Sequence, residues 1–328
     1  MTDQLECSVL VTGAAGYVGS VLCRQLLAKG YTVRATDLLL FGGESLLELI
    51  DHPRFTFIQA DLCDPAVLPG LVARMESVVH LAAIVGDPAC KAFPEAATAL
   101  MDDASRALYT AAQAAGVQHF VFASTCSNYG IMAGDTLLHE DGPLQPQSHY
   151  ARLKVGFERF LLDQPDSAMA ATILRFATAY GPSFRPRFDL TVNHFTRDLT
   201  LGRALHVFGA QLWRPYCHVH DLATAAALVI DKGPAHLRGR VFNVGDSAEN
   251  YTKEAIIAAV RQHVPSGAVS YAAGDGGDLR NYRVDFSRIQ AELGFHAEYR
   301  LGDGIASLHR LVASGLLGDT DSPRYRNT

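Results

Sequence analysis

The chain has 328 residues, 48% of them hydrophobic and 19% charged, with a net charge of −6. That length supports a large core and two lobes, and that charge argues against nucleic acid or an anionic membrane as the main partner. Met1 to Cys7 lacks the basic and apolar regions of a signal peptide, no stretch has membrane-spanning length without charge, and the six cysteines form no C-x-x-C pair. The reading is a cytoplasmic protein with reduced thiols.

In chain order, short apolar runs alternate with helix-length amphipathic segments. The pattern predicts strands at 7–12, 31–37, 55–59, 77–82, 118–124, 171–177 and 240–244, with helices between them, among these 17–29, 95–115 and 149–163. Such alternation indicates an α/β fold built on a doubly wound parallel sheet. From Tyr180 onward the connections lengthen and become richer in Gly, Pro, Arg and aromatics. We expect a dinucleotide-type domain over 1–178 plus about 238–246. A smaller α/β substrate-binding lobe is expected over 179–237 and 247–318, with a loose tail at 319–328.

The first predicted strand runs into a glycine loop, Thr12-Gly13-Ala14-Ala15-Gly16-Tyr17-Val18-Gly19. Gly13 permits the turn, Gly16 lets backbone approach a pyrophosphate and Gly19 lets helix and strand pack closely. The helix that opens at Tyr17 and Val18 would present free N–H groups to that charge. Asp37, at the end of the second strand, suits an adenosine ribose diol and repels a 2′-phosphate. No basic residue follows in Leu38 to Gly43, so NAD is favoured over NADP. Asp61 and Leu62 follow the third strand, where an acid and a backbone amide can meet adenine.

Tyr150 and Lys154 are four residues apart on a predicted helix and share one face. A free phenol has a pKa of about 10, and an ammonium beside it favours the phenolate. The pair can therefore serve as a general acid/base toward a sugar or alcohol hydroxyl. His218 and His220 alternate on a predicted strand and can share a face, but no third or fourth ligand is evident, so no metal is assigned.

These motifs occur in order with His80-Leu81-Ala82-Ala83, Ser124 to Gly130 (STCSNYG), Arg175, Tyr180-Gly181-Pro182, Arg214 to Asp221 (RPYCHVHD) and Asp278 to Ile289 (DLRNYRVDFSRI). Over nearly all of residues 7–310 the chain resembles the extended short-chain dehydrogenase/reductase superfamily, in its nucleotide-sugar epimerase, dehydratase and reductase branch. The resemblance implies a Rossmann fold and a nucleotide-diphosphate-sugar substrate. It implies that Thr125 bonds the reacting sugar oxygen and that Tyr150 removes a proton while hydride passes to the nicotinamide. Lys154 then binds the nicotinamide ribose and lowers the Tyr150 pKa. Leu81, Ala82 and Ala83 line the cofactor, and Arg214 and Arg280 hold the substrate diphosphate, with Asn193, Cys126 and Ser127 as further substrate contacts. It also implies a homodimer joined by helices 95–115 and 149–163 as a four-helix bundle.

Four positions depart from the branch's pattern. Sugar 4,6-dehydratases of this kind carry Asp-Glu directly after the catalytic Thr, where this chain has Cys126 and Ser127. Enzymes that invert C3 and C5 often place Cys where Ser127 stands. Met101 and Thr178 each replace an Asn. The sequence thus points to an NAD-dependent nucleotide-sugar 4-epimerase. Alternatives are a 4-keto-sugar reductase with the same residues, or a non-catalytic dinucleotide-binding regulator on the same fold.

Overall fold

The computed structural model describes residues 7–132, 136–164, 167–265, 267–272, 274 and 280–327. Its strands, in chain order, are β1 (Ser8–Thr12), β2 (Thr32–Asp37), β3 (Phe55–Gln59), β4 (Ser77–His80), β5 (His119–Thr125), β6 (Ala170–Phe176), β7 (Thr178–Tyr180), β8 (Leu205–Val207), β9 (Trp213–His218), β10 (Arg240–Val244), β11 (Asn250–Thr252) and β12 (Val269–Tyr271). Seven of them form one sheet in the order β3-β2-β1-β4-β5-β6-β10, with every pair parallel. Each of the seven overlaps a strand expected from the apolar runs, within two residues at either end.

Strand periodicity explains the layers. In β1, Val9 and Val11 face one side, packed with Val21, Leu22 and Leu26 of the helix Gly19–Ala28. Leu10 faces the other, with Leu108, Tyr109, Phe157 and Leu161 from the helices Ser105–Ala114 and His149–Leu162. A strand buried on both faces reads as a continuous apolar run, as Val9-Leu10-Val11 does. The strand order reverses between β1 and β4, so the crevice at their carboxyl ends is the place where a doubly wound sheet takes ligands.

A second lobe holds two small sheets, β11-β9-β7 and β12-β8. Its own core comprises Tyr180, Val192, Leu199, Tyr216, Ile256, Ile305 and Leu308, among others.

Three segments differ from expectation. The helix expected over 95–115 is broken into Pro94–Thr98, a π-helical turn Ala99–Ala104 and Ser105–Ala114. The helix Val219–Lys232, expected within the second lobe, lies against the large sheet, with Leu222, Ala226 and Val229 in the same core as Val9 and Val11. Its alanine-rich face permits this close packing, and Gln25 ties to it by donating to His220 O and Thr224 Oγ1. The segment expected to be loose is packed over its described residues 319–327. Tyr325 is buried against Phe188, its carbonyl accepts from Phe188 N at 2.9 Å, and Arg203 and Arg326 pair with Asp321. An aromatic anchor with ion pairs on both sides outweighs the polar composition of this tail. Among the described residues no helix is long and apolar enough to cross a membrane.

Candidate active site

The glycine loop is shaped by contacts that exclude side chains. Gly13 has φ +68°, and a Cβ there would sit 2.9 Å from Ala82 N. At Gly19 a Cβ would fall 2.2 Å from Gly13 O, so helix and strand approach only because both residues lack one. Between these glycines lies Gly16, whose N–H closes the turn onto Gly13 O. Tyr17 and Val18 follow at the helix entrance, and their N–H groups make no hydrogen bond among the described residues. Asp37 accepts from Ala15 N at 3.0 Å and from Leu39 N at 2.8 Å. Burial raises its carboxyl above the usual range, opposed by those backbone bonds and by Arg185.

Thr12 and His80 are register partners on β1 and β4. The Thr12 hydroxyl accepts from Ala82 N at 3.2 Å and lies 2.8 Å from His80 Nδ1. His80 Nε2 is 3.0 Å from Ser105 Oγ, which donates to Leu100 O. Only one proton arrangement satisfies all of these: Thr12 O–H to Nδ1, then Nε2–H to Ser105. Burial holds the imidazole neutral, with its pKa lowered to about 3. This chain pins Leu81, Ala82 and Ala83 beside the glycine loop and ties them to the π-helical turn. Asp61 uses its carboxylate to cap Cys63 N, and Leu62 is buried under β3.

Thr125 ends β5, and its hydroxyl accepts from Ser127 N at 3.1 Å. Ser148 caps the helix His149–Leu162 by accepting from Ala151 N. That helix carries Tyr150 and Lys154, both buried. The Lys154 ammonium donates to Ala123 O at 2.7 Å and lies 5.9 Å from the Tyr150 ring centroid. Burial lowers its pKa to about 8. Tyr150 packs with Cys90, Ala97 and Met101. Burial dominates and pushes the phenol up, Cys90 and Asp87 push it further, and Arg187 and Arg280 pull it down.

Arg280 forms an ion pair with Asp87 at 2.8 Å and donates to Ser127 Oγ at 3.1 Å. Arg214 is buried, donates to Trp213 O at 2.7 Å and to Arg280 O, and stacks on Tyr282. These contacts bring Arg214, Arg280 and Ser127 together above Thr125. Asp278 and Leu279, the first two residues of the DLRNYRVDFSRI motif, lie outside the described residues.

Two expected substrate contacts are placed otherwise. Asn193 is 1% exposed. Its Nδ2 donates to Tyr17 Oη, Gly181 O and Arg187 O, while its Oδ1 accepts from Gly181 N. The amide is committed to holding the 181–187 loop against Tyr17. Cys126 turns inward, its thiol donating to Arg175 O, and burial pushes its pKa well up. His218 and Asp221 are likewise occupied, His218 stacked on Tyr299 and Asp221 accepting from Glu298 N and Tyr299 N.

Sequence reasoning missed Asp87. Its Oδ1 is buried with no hydrogen-bond partner among the described residues, and its charge reaches Tyr150. The signal was a Gly-Asp-Pro helix start four residues after Ala83, which reads as an ordinary first-turn acid.

A doubly wound sheet with a glycine loop, a ribose-type acid and a Tyr/Lys helix at its carboxyl edge defines a dinucleotide-dependent enzyme of the short-chain dehydrogenase/reductase class. The sequence matches the NAD dependent epimerase/dehydratase family over residues 9–245. A UDP-glucose 4-epimerase of Mycolicibacterium smegmatis is 35% identical over 315 residues, covering 90% of this chain and 96% of that protein. A dTDP-glucose 4,6-dehydratase of Streptomyces griseus is 32% identical over 312 residues, covering 91% and 92%. A UDP-glucuronic acid 4-epimerase from Bacillus cereus, solved with UDP-glucuronic acid and NAD, superimposes with TM-score 0.84 at 25% identity, covering 94% and 99%. The chain belongs to the NAD-dependent epimerase/dehydratase family, an enzyme family of the extended short-chain type.

Proposed function

We propose that this protein is a nucleotide-sugar 4-epimerase that retains NAD and works as a homodimer. The reading is carried by Lys154, which donates to Ala123 O two residues before Thr125 ends β5 and lies 5.9 Å from the Tyr150 ring centroid. The glycine cradle fits a dinucleotide: Gly13, Gly16, Tyr17 and Val18 would receive its pyrophosphate. Asp37 would hold the adenosine ribose, Asp61 and Leu62 the adenine edge, and Leu81, Ala82 and Ala83 the inner wall. NAD, when bound, supplies an acceptor that takes the carbinol hydrogen and later returns it.

The chain's own groups do the rest. Tyr150 takes the proton from the C4 hydroxyl and gives it back after the 4-keto sugar has turned over. Thr125 hydrogen-bonds the same oxygen and fixes its approach. Lys154, anchored on Ala123 O, places a cation beside Tyr150 and the nicotinamide ribose. Arg214 and Arg280 offer guanidinium forks to the sugar-nucleotide diphosphate, with Ser127 between Arg280 and Thr125. Asn193 acts as a positioning residue through Tyr17 and the 181–187 loop.

Support for epimerisation over elimination of water comes from positions 126 and 127. A thiol bonded into the core and a hydroxyl held by Arg280 stand where elimination calls for a carboxyl pair. The test is to denature purified protein, identify released cofactor, and follow UDP-glucose and dTDP-glucose by NMR. Near-stoichiometric NAD with C4 inversion and no net cofactor consumption is expected. A 4-keto-6-deoxy product would sink the proposal. Stoichiometric consumption of reduced cofactor would identify a reductase, and cofactor binding with no turnover a regulator.

A further inference from the structure

Arg185 is a buried cation with no ion pair among the described residues, and Asp189 and Asp37 act on it only from beyond pairing distance. It is 6% exposed. Its Nη1 donates to Asn327 Oδ1 at 2.7 Å and its Nη2 to Arg326 O at 2.8 Å, both neutral acceptors. Its Nε is buried without a partner, and no described carboxylate forms an ion pair with it. The neighbouring buried arginines behave differently: Arg187 is bidentate to Asp189, and Arg197 pairs with Asp198. A buried charge is tolerated when it is paired, and Arg185 has no anion in direct contact among the described residues.

Its position says which anion. The guanidinium carbon lies 4.1 Å from the centroid of the Phe41 ring, four residues beyond the ribose acid Asp37. On its other side Arg185 N donates to Ser183 Oγ, which donates to Tyr17 O of the glycine loop at 2.6 Å. Arg185 thus stands between the two loops that frame the phosphate-bearing half of a dinucleotide. Burial, aided by Arg187 and opposed by Asp189 and Asp37, lowers its pKa to about 10.

The chain's last residues hold it there. Arg324 pairs with Glu44 at 2.8 Å, beyond β2. Asn327 N donates to Asp189 Oδ2 and Asn327 Nδ2 to Val85 O, just beyond Ala83. The segment therefore runs from the adenosine side of the cleft to its inner side, over the loop that bears Arg185.

We propose that Arg185 binds a phosphate group of the dinucleotide directly and that the C-terminal segment Arg324–Asn327 holds it in place and slows cofactor release. The proposal rests on the dinucleotide reading of the site. A guanidinium fork suits a phosphate. That phosphate belongs either to the pyrophosphate or to a 2′-phosphate, and the Asp37 carboxylate favours the pyrophosphate.

The test uses the full chain stripped of cofactor and titrated by calorimetry with NAD⁺, NADP⁺, ADP-ribose and adenosine. Arg185→Met is expected to weaken NAD⁺ and ADP-ribose at least tenfold and to leave adenosine unchanged, with Arg185→Lys recovering part of the loss. Asn327→Ala is expected to speed NAD⁺ release severalfold in stopped-flow displacement. The melting temperature of stripped Arg185→Met should equal or exceed the parent's, because an unpaired buried charge is gone. Unchanged NAD⁺ affinity overturns the proposal, as does a parallel loss of adenosine, which marks a purely structural role. Loss confined to NADP⁺ overturns the pyrophosphate assignment, and an unchanged release rate in Asn327→Ala overturns the clasp. If the parent chain binds no dinucleotide at all, the reading of the site itself fails, an outcome distinct from a parent and variant that bind equally.

Discussion

Lys154 donates its buried ammonium to Ala123 O at 2.7 Å, while Tyr150, one turn earlier on the same helix, packs its ring with Cys90 and Met101. The lysine is thus locked to the end of β5, and the phenol has its own apolar wall. The two residues are separable by mutation. Tyr150→Phe keeps that wall and removes only the proton carrier. Its kcat should fall by about 10²–10⁴-fold, with nucleotide-sugar affinity by calorimetry held within about threefold. Unchanged turnover in Tyr150→Phe would remove it from the chemistry.

The acid in the site should set the pH profile. Burial raises the Tyr150 pKa, Cys90 and Asp87 raise it further, and Arg187 and Arg280 lower it. Asp87→Asn removes a charge that disfavours the phenolate and takes one carboxylate from Arg280, whose charge favours it. Both changes lower the phenol pKa. The ascending limb of kcat against pH should therefore move to lower pH by about 0.5–1 unit. A limb that stays in place or moves up would show that Asp87 does not face the proton carrier.

Much of this was legible in the sequence because local signals and the fold agree. Val9 to Gly19 reads directly as strand, turn and helix, since every glycine there answers a backbone contact. The positions of β1 to β6 followed from apolar runs of strand length. Lines of inference failed where a distant segment decided the outcome. Asn193 was read as a substrate contact, whereas its amide bonds Tyr17, 176 residues away. The helix Val219–Lys232 joined the large sheet because small residues let it pack there, which no period reveals. Arg185 is placed by Asn327, 142 residues later, and Asp87 meets Arg280 from the other lobe. Such pairings are tertiary, and a single sequence does not encode them in spacing.

Cys126 should prove dispensable for chemistry. Its thiol is 1% exposed, bonded to Arg175 O, and raised far from thiolate formation by burial. Cys126→Ala should leave kcat within about threefold and cost about 1 kcal/mol of stability, typical of a single core truncation. A hundredfold loss in kcat with an unchanged melting temperature would restore the thiol to the mechanism.

The dimer expectation has a direct measurement. Helices Ser105–Ala114 and His149–Leu162 cover one face of the sheet. Phe93 and Leu162, near the ends of this layer, remain 58% and 41% exposed. Light scattering at micromolar concentration should give twice the 35.4 kDa chain mass. A monomeric mass would discard the four-helix-bundle arrangement, and with it any role for a partner in retaining the nucleotide sugar.

The Thr12–His80–Ser105 chain predicts how the protein responds to acid. His80 stays neutral in the fold, with its pKa lowered to about 3 by burial and the charge of Lys154, whereas an unfolded histidine titrates near ~6.5. Between those values the unfolded chain binds a proton that the folded one does not. Stability contributed by the neutral ring is thus complete above about pH 6.5 and is lost as pH falls toward 3. The slope is about 1.4 kcal/mol per pH unit for one such histidine. Urea unfolding at pH 7, 6 and 5 should show a slope shallower by about that amount in His80→Asn than in the parent, whatever the variant's absolute stability. Equal slopes would mean that His80 takes up its proton within the fold, with Nδ1–H then donating to Thr12 while Nε2–H still donates to Ser105.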